Sequence, residues 1–323
     1  MATNYKSVFT DNLSASFPRA QYDDPVSTSN GSPRAKVSFE NLKTLWVNTG
    51  TLCNLSCPHC YISSSPTNDR LLYPSLADIT PYFDEIKEHN MPTEEIGFTG
   101  GEPFMNPHII PLIEESLKRG FNCLILTNAM QPMMKRSKQL LFLKTKFGNQ
   151  LRLRVSVDHY SEKKFSEERG VRAWKPMCLG LNWLKLNGFN FNIAARKLWD
   201  EPDTEIRTEF QLLFKELGLS LDAFNLNHLV IFPEMEEGKA TTEITESCWD
   251  ILGVSPNQIM CSNSRMIIKR KGTNKTSVMP CTLIPYEKSF ELGSTLQEAK
   301  KTIHLNHPNC SNFCVLGGGS CSK

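Results

Sequence analysis

The sequence has no long apolar run. Across 323 residues, no uninterrupted stretch approaches the roughly 20 apolar residues of a membrane span. The N-terminus carries no apolar core of the kind that directs secretion. Strong charge of one sign is also missing: 36 Lys and Arg against 34 Asp and Glu leave a formal charge of +2. Basic blocks that would mark a nucleic-acid or anionic-membrane partner are absent. The one short run, Lys269-Arg270-Lys271, is expected to be a solvated hairpin tip. These absences lead to the expectation of a cytoplasmic protein with no nucleic-acid and no membrane partner. Cysteine, by contrast, is abundant, with eleven. In a reducing compartment that number points to metal binding or catalysis rather than disulfides.

Three regions follow from composition and periodicity. Residues 1–34 are rich in Ser, Asn, Asp and Pro and read as a flexible leader. Residues 35–232 alternate short apolar strands with amphipathic helices. Strands are expected at Thr44 to Val47, Glu95 to Phe98, Cys123 to Leu126, Leu151 to Val157, Phe189 to Ala194 and Ala223 to Ile231. Leu151 to Val157 alternates apolar with basic residues, as a less fully covered strand does. Helical stripes lie between them, such as Ile79, Tyr82, Phe83 and Ile86. A helix, then Gly, then a strand recurs at Gly120, Gly188 and Gly218, the pattern of successive βα units on a parallel sheet. Six strands are too few for a closed eight-stranded barrel, so the expected fold is α/β, a partial (βα)6 TIM-like barrel. Residues 233–323 break the pattern. A helix over 242–252 and a hairpin of 266–268 with 277–279 are expected, within a small cysteine-rich C-terminal extension that metal ligands hold together.

Cys53, Cys57 and Cys60 directly follow the first strand with C-x3-C-x2-C spacing. Three thiolates on one loop can ligate three irons of a 4Fe–4S cubane. A structural zinc site would want a fourth ligand at comparable spacing, and His59, between two ligands, is badly placed to supply it. One iron is left open, which suits an enzyme better than an electron carrier. Thr99-Gly100-Gly101-Glu102-Pro103 ends the second strand, at the sheet edge where open α/β folds bind ligands. Its glycines permit close backbone approach, and Glu102 can accept from an ammonium.

The loop, its Asn54-Leu55 pair, the aromatic Tyr61 and the Gly-Gly-Glu-Pro turn closely resemble the radical S-adenosylmethionine (radical SAM) superfamily. The resemblance implies an enzyme. A 4Fe–4S cluster on the three cysteines would cleave S-adenosylmethionine reductively, and the 5′-deoxyadenosyl radical would abstract hydrogen from substrate. It makes Gly100, Gly101 and Glu102 the site of the cofactor's amino group and places Tyr61 at the cofactor. Thr127-Asn128 stands where the family often has Thr-Asn-Gly, with Ala129 in place of the Gly. By position at strand ends, Ser156 and Asp158 are candidates for the ribose, Arg196 for the carboxylate and Ile231 for the adenine.

Cys261, Cys281, Cys310, Cys314 and Cys321 crowd the last quarter. They resemble the SPASM/Twitch extension, which implies one auxiliary 4Fe–4S cluster, with zinc as the alternative. The remaining cysteines, Cys123, Cys178 and Cys248, read as packing residues. An electron donor such as flavodoxin or ferredoxin is implied, and no cobalamin-binding region is apparent. The stretch before the first strand is too small for a peptide-recognition domain, which favours a small-molecule substrate leading to oxidation or bond formation. The alternatives are a peptide-modifying maturase and a non-catalytic, metal-stabilised binding or electron-transfer protein.

Overall fold

The computed structural model describes residues 19–235 and 241–321. The chain enters through a short helix α1 (Arg19–Tyr22) and strand β1 (Lys36–Val37). The βα units then follow: β2 (Thr44–Asn48), α2 (Leu76–Glu88), β3 (Glu95–Thr99), α3 (Ile109–Lys118), β4 (Asn122–Thr127), α4 (Gln131–Met134) and α5 (Ser137–Phe147). β5 (Leu151–Asp158) leads to α6 (Glu162–Arg169) and α7 (Trp174–Leu186). β6 (Asn190–Arg196), α8 (Asp203–Glu216) and β7 (Leu229–Phe232) complete the series. The extension holds α9 (Cys248–Leu252), the hairpin β8 (Ser264–Lys269) and β9 (Thr276–Met279), and β10 (Ile303–His304), which pairs with β1.

The expected helical stripes are the buried faces. In α2, Ile79, Tyr82, Phe83 and Ile86 are buried, and the Ser75–Asp78 capping box starts the helix. In α8, Ile206, Phe210, Leu213 and Phe214 are buried. Gly120, Gly188 and Gly218 have φ of +91°, +61° and +62°, the left-handed conformation that ends a helix at little steric cost. The central sheet is α/β and mostly parallel, in the order β7-β6-β5-β4-β3-β2-β8-β9.

The sheet extends beyond the six expected strands. β8 pairs in parallel with β2, with Thr44 opposite Ser264 and Val47 opposite Ile267. β9 turns back antiparallel on β8. The hairpin is therefore a continuation of the barrel wall.

Four local expectations are corrected. The expected helix over 242–252 is only α9, because the backbone of 244–246 is paired with 33–35: Ala35 N donates to Ile244 O and Glu246 N to Pro33 O. The strand expected from Ala223 starts at Leu229. Asp222 and Asn225 side chains accept from the N–H of Phe224 and Asn227 and hold turns there. β5 is covered along most of its length; Arg154 is buried and donates to Asn192 Oδ1 at 3.1 Å and to Cys321 O at 2.8 Å. The basic run is ion-paired: Lys269 to Asp78 at 2.8 Å, Arg270 to Glu291 at 3.0 Å and Lys271 to Asp69 at 2.5 Å.

Of the N-terminal segment, residues 1–18 lie outside those described. The rest is docked. Buried Arg34 donates to the carbonyls of Gln21, Asp24 and Ser27 and pairs with Glu243 at 2.6 Å. No helix among the described residues is long and apolar enough to cross a membrane.

Candidate functional site

The three-cysteine loop leaves the end of β2 and is pinned by its own backbone. Thr51 N donates to Leu71 O at 3.1 Å, Cys53 N to Ser65 O at 3.0 Å and Cys60 N to Cys57 O at 3.3 Å. Ser64 N donates to Cys60 Sγ at 3.3 Å. Cys53 is buried; Cys57 and Cys60 are half-buried. Burial pushes the Cys53 thiol up to about 12, and Glu102 nearby adds to this. Burial also raises Cys57, against the pull of Arg169. Thiols held neutral in this way become thiolates when a cationic group arrives among them. The hydroxyls of Ser63 and Ser64 and Asn48 Nδ2 are buried without partners, so polar capacity at the root and end of the loop is unspent.

The Gly-Gly-Glu-Pro turn lies directly on this loop. Gly101 N donates to Gly50 O at 2.8 Å and Glu102 N to Leu52 O at 3.2 Å. A Cβ on Gly100 would overlap the Gly50 carbonyl, and one on Gly101 the Leu52 carbonyl. The glycines are thus required by loop-to-loop contact, a tighter reason than ligand approach. Glu102 is 1 % exposed. Its Oε1 accepts from Phe104 N at 3.2 Å and Thr127 Oγ1 at 2.9 Å, and its Oε2 from Asn128 N at 2.9 Å. A carboxylate offers about four acceptor positions, so one remains. Burial lifts Glu102 to about 7 despite those donors, and it has no ion-pair partner among the described residues. A buried carboxylate in that state favours an added cation.

Thr127 and Asn128 join the same assembly. Asn128 Nδ2 donates to Asn54 Oδ1 in the cysteine loop at 3.0 Å. Ala129 has φ of +57°, which accounts for the glycine frequent at that position in the pattern it resembles. The other strand-end candidates are engaged by protein groups. Both oxygens of Asp158 accept from Arg169, at 2.5 and 2.9 Å. Arg196 pairs with Glu168 and Glu234, each at 3.1 Å, and lies 4.4 Å over the Tyr61 ring. Its Nε is buried and unpartnered. Tyr61 donates to Pro233 O at 2.9 Å, and its ring meets Phe313 edge-on at 5.5 Å. Ser156 and Ile231 are half-buried on β5 and β7.

Sequence reading missed two adjacent residues that organise this edge. Glu168 pairs with His59 Nδ1 at 2.7 Å and with Arg196, which ties the cysteine loop to the end of β6. Arg169 pairs with Asp158 and lines a cavity of about 490 Å³ with Asn54, Leu55, Met130 and Gln131. Their only trace in the sequence is a Glu-Arg pair in the last turn before Gly170.

The five C-terminal thiols are brought to one region. Cys310 and Cys314 lie on a single wide helical turn, Cys310–Val315. Burial raises Cys314 well above its ordinary value, and the other four thiols add to it. Cys310 is raised by burial, then by Cys281 and Cys261. Cys321 accepts from Thr282 Oγ1 at 3.3 Å. Cys123 is fully buried; Cys178 and Cys248 are half-buried.

Comparison with known proteins agrees with this geometry. Residues 47–195 match the Radical SAM superfamily. The chain is 24% identical over 275 residues to the antilisterial bacteriocin subtilosin biosynthesis protein AlbA of Bacillus subtilis, covering 79% of this chain and 58% of that protein. It thus spans little more than half of the length of that relative. The fold is shared with Streptococcus suis SuiB bound to its precursor peptide SuiA, at TM-score 0.58 and 15% identity, over 87% of this chain and 66% of that one. It is shared also with anSMEcpe bound to AdoMet and Cp18Cys peptide, at TM-score 0.56 and 16% identity, over 83% and 84%. The three-cysteine loop, hydrogen-bonded to a Gly-Gly-Glu-Pro turn at the C-terminal edge of a parallel sheet, lies within the segment that matches the Radical SAM superfamily, and a cysteine-rich extension follows it.

Proposed function

We propose that the protein generates a 5′-deoxyadenosyl radical and uses it to modify a peptide. The observation that carries the first part is the direct docking of the cysteine loop onto the Gly-Gly-Glu-Pro turn. Cys53, Cys57 and Cys60 are the residues to hold the catalytic 4Fe–4S cluster. The donor set fits: three soft thiols on one loop, with an N–H to sulfur contact at Cys60 and unspent hydroxyls beside it. Bound together, the cluster and S-adenosylmethionine supply a one-electron cleavage and a hydrogen-abstracting radical.

The chain's own residues bind and orient. The remaining acceptor position of Glu102 takes the cofactor's ammonium. Arg169 lines the cavity beside the loop while paired with Asp158, and Arg196 faces two carboxylates, so a cofactor carboxylate would have to share either cation with the protein's own anions. Ser156 remains the ribose candidate, since Asp158 is committed to Arg169. Ile231, half-buried at the sheet edge, is kept for the adenine. The Glu168 bridge to His59 and Arg196 holds the loop against the barrel. Cys261, Cys281, Cys310 and Cys314, with Cys321 at the margin, hold an auxiliary cluster.

A peptide substrate replaces the small molecule expected from the sequence. The match to AlbA is too long for the barrel alone and runs into the extension. SuiB and anSMEcpe, which share the fold, were both captured with peptides. A low-potential donor such as flavodoxin or ferredoxin supplies the electron.

The test is anaerobic reconstitution with iron and sulfide, then reduction. The protein should form 5′-deoxyadenosine, and Cys57→Ala should abolish this while retaining iron at the C-terminal site. Addition of a short peptide encoded beside the gene should speed 5′-deoxyadenosine formation and change the peptide's mass. Stimulation by a small metabolite with no change to any peptide would reverse the substrate assignment.

A further inference from the structure

We propose that Arg265 sets the reduction potential of the C-terminal thiol site, as a fixed positive charge buried against the backbone of Cys261. The inference rests on reading those thiols as a cluster site, and deepens it.

Arg265 lies on β8, opposite Leu45 of β2, and is 1 % exposed. Among the described residues its guanidinium donates to four backbone carbonyls. Nη1 donates to Cys261 O at 2.6 Å and to Ser264 O at 2.7 Å. Nε donates to Ala299 O at 2.9 Å, and Nη2 to Lys301 O at 3.0 Å. One face covers the Phe39 ring at 4.3 Å. No carboxylate pairs with it among the described residues. Arginine is almost never buried without an anion, because carbonyl dipoles alone do not offset the lost hydration. Cys261, whose carbonyl the guanidinium holds at 2.6 Å, carries a thiol able to bear negative charge.

The missing counter-charge is therefore the thiolates themselves. A cluster on four thiolates gains negative charge on reduction. A fixed cation beside it stabilises the reduced form more than the oxidised form and raises the potential. The four-carbonyl cradle explains why the residue is Arg: a lysine could not satisfy four acceptors from one fork.

The experiment is an anaerobic redox titration, followed by electron paramagnetic resonance, on the full chain reconstituted with iron and sulfide. Arg265→Gln should lower the midpoint of the C-terminal cluster by at least the equivalent of a tenfold change in the reduced-to-oxidised ratio, about 59 mV for one electron. The catalytic cluster's midpoint should stay in place as an internal control. Arg265→Lys should keep the potential near wild type while losing thermal stability. If Arg265→Gln does not fold, Phe39→Glu neutralises the guanidinium in place, and the midpoint should again fall. Two clusters' worth of iron with an unmoved midpoint in the folded variants overturns this inference alone. Iron for only one cluster in the wild type overturns the cluster reading and this inference with it.

Discussion

One methyl group on Gly101 would separate the cysteine loop from the turn that rests on it. A Cβ there overlaps Leu52 O, a backbone atom that cannot swing aside. Gly101→Ala should cost about 1–3 kcal/mol in chemical denaturation, as overpacking does. It should also lower iron uptake at the catalytic site while the C-terminal site loads normally. Glu102 makes a second prediction at this scale. Its carboxyl titrates near 7 in the fold, against 4.5 ordinarily. Between those values the folded state holds the proton and the unfolded state does not. The contribution to stability is therefore full below about pH 4.5 and is lost as pH rises through 7, by roughly 3 kcal/mol in total. Urea midpoints of the metal-free chain at pH 5 and pH 8 should show this loss, and Glu102→Gln should flatten it.

Helix α6 carries two opposed charges to two neighbours with its final turn. Glu168 faces His59 and Arg196, while Arg169 faces Asp158. Arg169→Met strands a buried carboxylate and should destabilise the fold by about 3–5 kcal/mol. Adding Asp158→Asn should recover much of that in the same denaturation assay, because the unpaired charge is gone. Much of the element pattern was legible in the sequence, since apolar period and helix-ending glycines are local signals: Ile79, Tyr82, Phe83 and Ile86 point inward as their spacing requires. The cysteine loop and the Gly-Gly-Glu-Pro turn were legible as motifs. The role of Glu168 and Arg169 was not, because a Glu-Arg pair at a helix end reads as an ordinary solvated surface. Asp222 and Asn225 show the opposite failure, where side-chain turns override an apolar run that looks like strand.

The extension is joined to the barrel through the sheet itself. β8 takes the edge of β2, and its residues Met266, Ile267 and Ile268 are buried in the common core. A parallel pairing between segments so far apart in the chain leaves no local signature, so composition alone suggests a separate unit. The physical prediction is a single unfolding transition for the whole chain, coincident by tryptophan fluorescence and by far-ultraviolet circular dichroism. A fragment ending at residue 235 should aggregate, because it bares a long apolar strand edge.

The contact of Arg154 with the Cys321 carbonyl spans 167 residues of sequence, and Tyr61 waits still longer for Phe313. On the ribosome, at roughly 5–20 residues per second, the barrel interior therefore stands open for on the order of ten seconds or more after β5 has emerged. Through that interval the Tyr61 ring, just past the last cysteine of the loop, waits without the Phe313 edge that later packs on it.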